Sequence, residues 1–380
     1  MNALAVFPHD KRIELIEQPD PTVEKGNHVK LQMLEVGVCG TDREIARFEY
    51  GTPPEGSDFL ILGHESLARV VELGKLVKNL AEDDLVIVSV RRPCLNSSCL
   101  ACRAGRQDFC YTGEYSERGI RKAHGFLAEY ITEDRRYITR IPKQLRNVAI
   151  LIEPLTIAEK ALAQIYTIQE RLPWGIRHDR SGHSQLGAQP GQKTHHAVVV
   201  GAGPIGLLGA MLLLLHHFQV TVYSREPQTD RRAQLISSAG ARYVCSSNVS
   251  VDQLIKQTGN IDLVYEATGA AKIAFDLLKY LGTNGIFVFT GVPGTKAEVE
   301  LDTSLLMKNL VLKNQLLLGT VNADIDDFQN AVRDLSHFVV RWPNAVEGLI
   351  TSRSPLTSYQ DVLLTSNPNR IKSVLTVAPQ

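Results

Sequence analysis

The feature that most constrains the fold of this chain is a glycine-rich stretch, Gly201-Ala202-Gly203-Pro204-Ile205-Gly206. It follows the valine-rich run Ala197–Val200 and opens an apolar segment that reaches Leu215. A strand, a tight glycine turn and a helix in this order form the context in which a GxGxxG sequence binds a dinucleotide. The pyrophosphate of the cofactor then faces the N-terminus of the helix. A membrane span explains the uncharged segment less well, because the glycines and Pro204 interrupt it.

After this stretch the sequence alternates between short strand-like runs and helical patterns. The predicted strands are Ala197–Val200, Val220–Tyr223, Tyr243–Cys245, Leu263–Glu266, Ile286–Thr290 and Leu316–Leu318. Alternation of this kind predicts a parallel, doubly wound sheet of the Rossmann type. We assign residues 191–314 to this NAD(P)-binding domain, so the chain is predicted to be of the α/β class.

The remaining sequence is predicted to form a second, β-rich antiparallel domain from residues 1–190 and 315–380. Short β-runs separated by Gly, Pro and Asp punctuate its first part, at Val29–Leu34, Ala68–Leu73 and Leu85–Val90. Helical spacing follows over Val148–Tyr166. The tail, with a helix at Asp326–Val339 and the apolar run Ser373–Val377, is expected to return to this domain. An exposed connection is predicted over Arg171–His196, with its histidines solvated (His178, His183, His195 and His196).

The length and the charge of the chain indicate how many domains it has and which partners it lacks the charge to attract. A chain of 380 residues exceeds what one hydrophobic core serves, which agrees with two domains. Its 41 basic and 41 acidic residues cancel, so no electrostatic argument favours nucleic acid or a membrane surface as partner. The segment Met1–Lys11 lacks the features of a signal peptide, and we expect a cytoplasmic protein.

Residues typical of a catalytic zinc site occur in Cys39-Gly40-Thr41-Asp42 and Gly63-His64-Glu65. A thiolate, an imidazole and a carboxylate are the ligands that such a zinc uses when one coordination position stays open. Cys39 and His64 are two predicted ligands, and the third is Glu65 or Glu153. Bound zinc would lower the pKa of a coordinated substrate hydroxyl and so assist hydride transfer to the nicotinamide.

Four further cysteines are close together in the sequence, namely Cys94, Cys99, Cys102 and Cys110. Four thiolates with this spacing can complete a tetrahedral shell without an open position, which is typical of a structural zinc. The gap between Cys94 and Cys99 is longer than usual, so the signal is weaker for Cys94 than for the other three. The alternative of disulfides is disfavoured, because a chain of this length needs no such cross-links.

The end of the second predicted strand of the Rossmann domain bears on the choice of cofactor. That strand runs into Ser224-Arg225, and Arg231-Arg232 follow shortly after. A hydroxyl beside a guanidinium suits the 2′-phosphate of NADP. Glu226 could reverse this preference by pointing inward, so NADP is predicted with NAD as the alternative. Further cofactor contacts are predicted at Thr268, Gly269, Thr290, Gly291, Thr320 and Asn322.

Several stretches together resemble the zinc-dependent medium-chain dehydrogenases, and within them the glucose 1-dehydrogenase family. The similarity covers nearly the whole chain, and the stretches that carry it are Cys39-Gly40-Thr41-Asp42-Arg43-Glu44, Tyr50-Gly51-Thr52, Leu62-Gly63-His64-Glu65-Ser66, Val90-Arg91-Arg92-Pro93, Gly105-Arg106-Gln107-Asp108-Phe109-Cys110, Thr112-Gly113-Glu114 and Gly319-Thr320-Val321-Asn322.

This resemblance implies a GroES-like catalytic domain, a Rossmann domain and an active site in the cleft between them. It implies zinc held by Cys39, His64 and Glu153, with Glu65 either coordinating or behind the ligands. It also implies that Thr41 relays the substrate proton and that Glu114 and Asn322, with Thr41 and Glu153, contact the sugar. Homo-oligomerisation through the edge of the Rossmann sheet is expected as well.

The predicted activity is oxidation of the C1 hydroxyl of an aldose, glucose or galactose, to the lactone. One alternative is a polyol or secondary-alcohol dehydrogenase of the same superfamily. An alternative of another class is an NADPH-binding protein without turnover. Glu114 distinguishes the aldose dehydrogenase from the polyol or secondary-alcohol dehydrogenase, because a simple alcohol does not need the hydrogen-bonding group that a sugar needs.

Overall fold

The computed structural model describes residues 1–172, 195–294 and 298–378. The chain forms two compact units. The first comprises Met1–Pro154, Asn322–Ser336 and Ile350–Gln380, and the second comprises Leu155–Val321 and His337–Leu349. The domain boundary predicted at 190/191 lies outside the described residues, as does most of the predicted connection, including His178 and His183.

The first unit contains most of the strands, and nearly all pair antiparallel, as predicted. They are β1 (Asn2–Phe7), β2 (Arg12–Glu17), β3 (His28–Val38), β4 (Leu60–Ile61), β5 (Glu65–Leu73), β6 (Leu85–Val88), β7 (Arg91–Arg92), β8 (Ser116–Arg118), β9 (Lys122–Ala123), β10 (Tyr130–Asp134) and β11 (Ile138–Arg140). The three strands predicted in this region correspond to β3, β5 and β6, so those predictions are confirmed.

The largest sheet of this unit is organised around the long strand β3. Its order is β11-β6-β5-β3 and continues into two strands from the end of the chain, β19 (Lys372–Thr376) and β18 (Ile350–Pro355). The end of the chain thus pairs with the first unit, whereas His337–Leu349 of the predicted tail belongs to the second unit. Apolar side chains such as Leu31, Met33 and Val36 of β3 are fully buried in the core that this sheet covers.

The second unit is built on a parallel sheet, as the alternating pattern predicted. Its strands are β12 (His196–Val200), β13 (Gln219–Ser224), β14 (Arg242–Cys245), β15 (Ile261–Glu266), β16 (Leu281–Phe289) and β17 (Leu316–Gly319). The spatial order is β14-β13-β12-β15-β16-β17. The order reverses between β12 and β15, and dinucleotides bind at such a switch point in doubly wound folds.

The glycine fingerprint lies at this switch point. Gly201 follows β12 with φ of 101°, a left-handed conformation that glycine adopts without strain. A Cβ on Gly206 would lie 2.2 Å from the Gly201 carbonyl oxygen, so only glycine allows the following helix to start so close to the turn. The predicted strand, turn and helix are thus all present.

The described residues form eleven α-helices. They are α1 (Gly40–Ala46), α2 (Leu100–Arg103), α3 (Ile152–Gln169), α4 (Pro204–Leu215), α5 (Arg231–Ser238), α6 (Val251–Thr258), α7 (Ala271–Leu278), α8 (Thr303–Leu312), α9 (Ile325–Arg341), α10 (Pro343–Leu349) and α11 (Tyr359–Leu364). None of these helices has the length and apolar character needed to cross a membrane.

Candidate metal centres and cofactor site

The first metal candidate begins at the N-terminus of α1. Cys39 is the N-cap of this helix, and its thiol accepts a hydrogen bond from the Thr41 backbone amide at 3.2 Å. The carboxylate of Asp42 accepts a bond from the Cys39 amide at 2.9 Å and completes a capping box. The local helix start therefore fixes the thiol and the buried Asp42 carboxylate relative to each other.

His64 lies against both of these groups. Its Nε2 is 3.0 Å from the Cys39 Sγ, and its Nδ1 is 3.2 Å from an Asp42 carboxylate oxygen. Burial alone would lower the pKa of His64, but Asp42 and Cys39 outweigh it and hold that pKa well above its ordinary value. The anionic neighbours thus stabilise positive charge at the imidazole, whether a proton or a metal ion supplies it.

Glu65 begins β5 and lies beside His64. Its two carboxylate oxygens accept hydrogen bonds from the Lys372 ammonium of β19 at 2.5 and 2.7 Å. The space that its side chain occupies exists because Gly37 lies opposite on β3, where a Cβ would approach Glu65 Oε2 to 2.0 Å. The Lys372–Glu65 ion pair is buried, with side chains 1% and 2% exposed.

The donor atoms of Cys39, His64 and Glu65 all lie within 4.8 Å of one another. Sulfur, nitrogen and oxygen so arranged fit the ligand preferences of zinc. Glu153, the fourth predicted ligand, is near the start of α3, and burial raises its pKa to about 7, with a further contribution from the charge of Glu65. That pKa shift places Glu153 in the electrostatic environment of the same cluster.

The four cysteines of the second cluster converge. Their sulfur atoms lie within 4.8 Å of one another, with Cys94–Cys102 at 3.5 Å and Cys99–Cys110 at 3.9 Å. Bonded sulfurs would be about 2 Å apart, so these are not disulfides. The edge of a tetrahedron with Zn–S bonds of about 2.3 Å is about 3.8 Å long, which the observed distances match.

A polar cluster surrounds Asn322, a predicted sugar contact. Its side-chain amide donates to Glu117 Oε1 at 2.7 Å, and the buried Arg91 guanidinium donates to the same oxygen at 2.9 and 3.1 Å. Arg91 also stacks on the Tyr115 ring at 3.8 Å and donates to the backbone carbonyl of Asp108. Glu117 is 6% exposed, and the bonds from Asn322 and Arg91 converge on its Oε1.

Glu114, the other predicted sugar contact, lies in a different environment. Its carboxylate pairs with Lys122 at 3.0 Å, and its side chain is 64% exposed.

Glu117 was not recognised in the sequence. Glu117 is the middle residue of β8 and is buried between two partly exposed neighbours. Alternation of side chains along a strand could have indicated this, but a strand of three residues is too short for the alternation to be recognised in a sequence.

The other residues missed from sequence are Asp42 and Lys372. Asp42 stands three positions after Cys39, which is the spacing of a capping box and a signal that could have been used. Lys372 is separated from Glu65 by 307 positions, and nothing in its neighbourhood indicates the contact.

The predicted cofactor residues cluster at the carboxyl ends of the parallel strands. Ser224 ends β13, and its hydroxyl accepts a hydrogen bond from the Ala202 amide of the glycine fingerprint at 3.1 Å. At the end of β15, the Glu266 carboxylate accepts bonds from the Thr268 and Gly269 amides, and its backbone carbonyl accepts bonds from the Thr290 hydroxyl and the Gly291 amide. The Thr320 hydroxyl, beyond β17, accepts a bond from Gln164.

Models of known protein families match the chain in both its N-terminal and its C-terminal parts. Residues 25–143 match the alcohol dehydrogenase GroES-like domain, and residues 146–377 match the C-terminal region of glucose dehydrogenase. The chain is 39% identical to the glucose 1-dehydrogenase of Thermoproteus tenax over 378 residues, covering 99% of each chain. The chain belongs to the glucose dehydrogenase family.

Two further glucose dehydrogenases are similar to the chain over nearly its whole length. The glucose 1-dehydrogenase of Methanocella arvoryzae is 35% identical over 366 residues, which cover 96% of each protein. A glucose dehydrogenase from Haloferax mediterranei, solved in complex with NADP, zinc and gluconolactone, superimposes with a TM-score of 0.86 at 30% identity and covers 100% of each chain. The predicted fold, a GroES-like unit with a Rossmann unit of the zinc-dependent medium-chain type, is therefore confirmed.

Proposed function

We propose that this protein is a zinc-dependent aldose dehydrogenase that oxidises the C1 hydroxyl of glucose to the lactone and transfers the hydride to NADP or NAD. The observation that carries the proposal is the convergence of the Cys39 thiol and the His64 imidazole, with the Glu65 carboxylate behind them, within 4.8 Å of one another. The names of the relatives and the gluconolactone bound to the Haloferax enzyme support the substrate class.

The catalytic zinc would be held by Cys39, His64 and Glu153, with Glu65 behind them. The Lys372 ammonium, which donates to both oxygens of Glu65, supports this assignment because it already neutralises the carboxylate charge that would otherwise attract a zinc ion. When bound, zinc supplies a Lewis acid that favours ionisation of a substrate hydroxyl. Asp42 orients the imidazole through Nδ1, as a carboxylate does in many zinc sites.

The second zinc would be bound by Cys94, Cys99, Cys102 and Cys110, and its role would be structural. The closeness of all four sulfurs supports a shell without an open position. Cys94 is 3.5 Å from Cys102, sulfur to sulfur, which supports Cys94 as a fourth ligand despite the long gap before Cys99.

Sugar binding is assigned to Thr41, Glu117 and Asn322. The Thr41 amide donates a hydrogen bond to the Cys39 sulfur, which supports a role for the neighbouring Thr41 hydroxyl in relaying the proton of the C1 hydroxyl. Burial of Glu117 and its bond with Asn322 support this carboxylate, as the acceptor for a sugar hydroxyl, over the exposed Glu114.

We further propose a homo-oligomer that assembles through β17, the edge strand of the parallel sheet. Exposed apolar side chains in the helix that precedes this strand support the proposal, since Met307, Val311 and Leu312 of α8 are 67%, 73% and 68% exposed. A second copy is the natural partner of an apolar surface beside an unpaired strand edge. A cytoplasmic location is proposed as well, because none of the six cysteines of the chain is in a disulfide, as expected in a reducing compartment.

The test of the activity is a panel of aldoses, polyols and secondary alcohols, assayed with NADP and with NAD on protein of measured zinc content. We expect reduced nicotinamide with glucose and little with simple alcohols. Turnover of polyols or secondary alcohols in preference to every aldose would replace the proposal by the polyol dehydrogenase alternative. Nucleotide binding without any turnover in zinc-replete protein would favour the non-catalytic alternative.

A further inference from the structure

We infer that Arg106 is a positioning residue for sugar binding, because its guanidinium joins the cysteine loop (residues 94–110) to the segment of the chain that carries Asn322. The inference deepens the proposed function and rests on its assignment of Glu117 and Asn322 to the sugar. Arg106 lies between Cys102 and Cys110 in the sequence, and its side chain is 44% exposed.

Three buried carboxylates cluster beside Arg106, those of Asp108, Asp324 and Asp327. One oxygen of each lies within 4.8 Å of the other two. The guanidinium donates to both oxygens of Asp108, at 3.0 and 2.8 Å, and its Nε lies 2.7 Å from Asp324 Oδ2. Buried carboxylates so close together repel one another, and a cation in contact with them stabilises the arrangement. Arg106 supplies that charge.

Asp324 uses its two oxygens for different partners. Its Oδ1 accepts hydrogen bonds from the backbone amides of Asp326 and Asp327 at 3.0 and 3.1 Å, and so caps the start of α9. Its Oδ2 faces Arg106. The ion pair therefore fixes, relative to the cysteine loop, a residue only two positions after Asn322.

The backbone of Asn322 needs such support. Its φ of 61° lies in the left-handed region, which costs free energy for a residue other than glycine and persists where the surroundings hold it. Asp324 anchors the segment on one side. On the other side, the Asn322 side-chain amide donates to Glu117 Oε1 at 2.7 Å.

A second connection runs from Arg106 to Glu117. Arg106 holds the side chain of Asp108, and the backbone carbonyl of Asp108 accepts a hydrogen bond from Arg91 at 3.2 Å. Arg91 in turn donates to Glu117 Oε1 at 2.9 and 3.1 Å. The contacts thus form a ring that the chain itself closes between Asn322 and Asp324, and loss of Arg106 opens this ring at both aspartates.

The experiment is steady-state kinetics with glucose on the zinc-loaded, full-length protein, using the nicotinamide cofactor that the wild type prefers. The variants are R106A, D324N, E117Q and the double variant R106A/E117Q. D324N keeps an oxygen that can cap α9 and removes the charge that faces Arg106. The matched control is R103A, which removes an exposed arginine from the same loop. Zinc content and melting temperature are measured for every variant.

We expect R106A and D324N each to raise the KM for glucose by about tenfold, an effect of the size found for residues that act through a network. They should leave kcat and the KM for the cofactor within about twofold, as should R103A for all three constants. E117Q already opens the ring at another point. Adding R106A to it should therefore raise the KM for glucose by less than about threefold further.

The outcomes separate the inference from the proposed function. If the wild type oxidises glucose and R106A, with its full zinc content, has an unchanged KM for glucose, the inference is overturned and the proposed function stands. If the wild type oxidises no aldose, both are overturned. A full tenfold effect of R106A on top of E117Q would overturn the inference, because Arg106 would then act independently of the ring. Should R106A lose zinc or fail to fold, D324N decides, and an unchanged KM in that variant overturns the inference.

Discussion

The buried ion pair between Lys372 and Glu65 allows a prediction of stability with a defined magnitude. Both side chains are almost inaccessible, and the ammonium contacts both carboxylate oxygens at 2.5 and 2.7 Å. Substituting Lys372 by Met removes the cation at nearly constant size and leaves a buried carboxylate without its partner. Breaking such a pair by removing one member costs about 3–5 kcal/mol.

The assay is thermal unfolding of wild type and K372M at equal zinc content. For a unit of this size, that cost lowers the melting temperature by roughly 6–20 °C. The loss should be larger after zinc removal, because no other cation then faces Glu65. The control is K122M, which breaks the exposed pair with Glu114, a contact of a kind that contributes about 0–1 kcal/mol. Equal melting temperatures for K372M and K122M would refute the reasoning.

Three further predictions concern separate parts of the first unit. Glu117→Gln should lower kcat/KM for glucose by about a hundredfold, as expected for a lost hydrogen bond to a charged group, while Glu114→Gln stays within a few fold in the same steady-state assay. Cys94→Ser should reduce bound zinc from about two to about one per chain by atomic emission; an unchanged content would remove Cys94 from the site. Burial, with the charge of Asp324, raises the pKa of Asp327 from 3.8 to about 8. The unfolded chain therefore loses this proton at lower pH than the folded protein does. The free energy of unfolding then falls as the pH rises from about 4 to about 8. Melting temperatures of Asp327→Asn should therefore decline less from pH 5 to pH 8 than those of wild type.

Features with a local physical cause were predictable from the sequence. The alternating burial of His28–Met33 in β3 and the valine-rich β12 follow from residue patterns over a few positions. The glycine turn after β12 follows from the conformational freedom that Gly201 has and other residues lack. The ligand types Cys39 and His64 could be selected because few other functions need them together with a dinucleotide fold.

Features that depend on distant pairing could not be predicted. The cation that faces Glu65 comes from β19, and only the register of β19 on β3 places Lys372 there. The distinction between Glu114 and Glu117 depends on which side chain turns inward, since the two residues have the same chemistry and differ by three positions. The hydrogen bond from Ser224 to Glu226 likewise depends on side-chain placement that residue types alone do not fix.

The return of the last strand to the first unit has a consequence for biosynthesis. β3 lies between β5 and β19, and the latter begins at Lys372, close to the end of the chain. The N-terminal segment that ends at Pro154 therefore emerges from the ribosome long before its sheet can be completed. At usual elongation rates the interval is about 10–45 s. During that time the Glu35–Val38 end of β3 stays without β19, although β10 can already pair with the other end of the strand. The parallel sheet, all of whose strands precede β19, can therefore be completed before the antiparallel one.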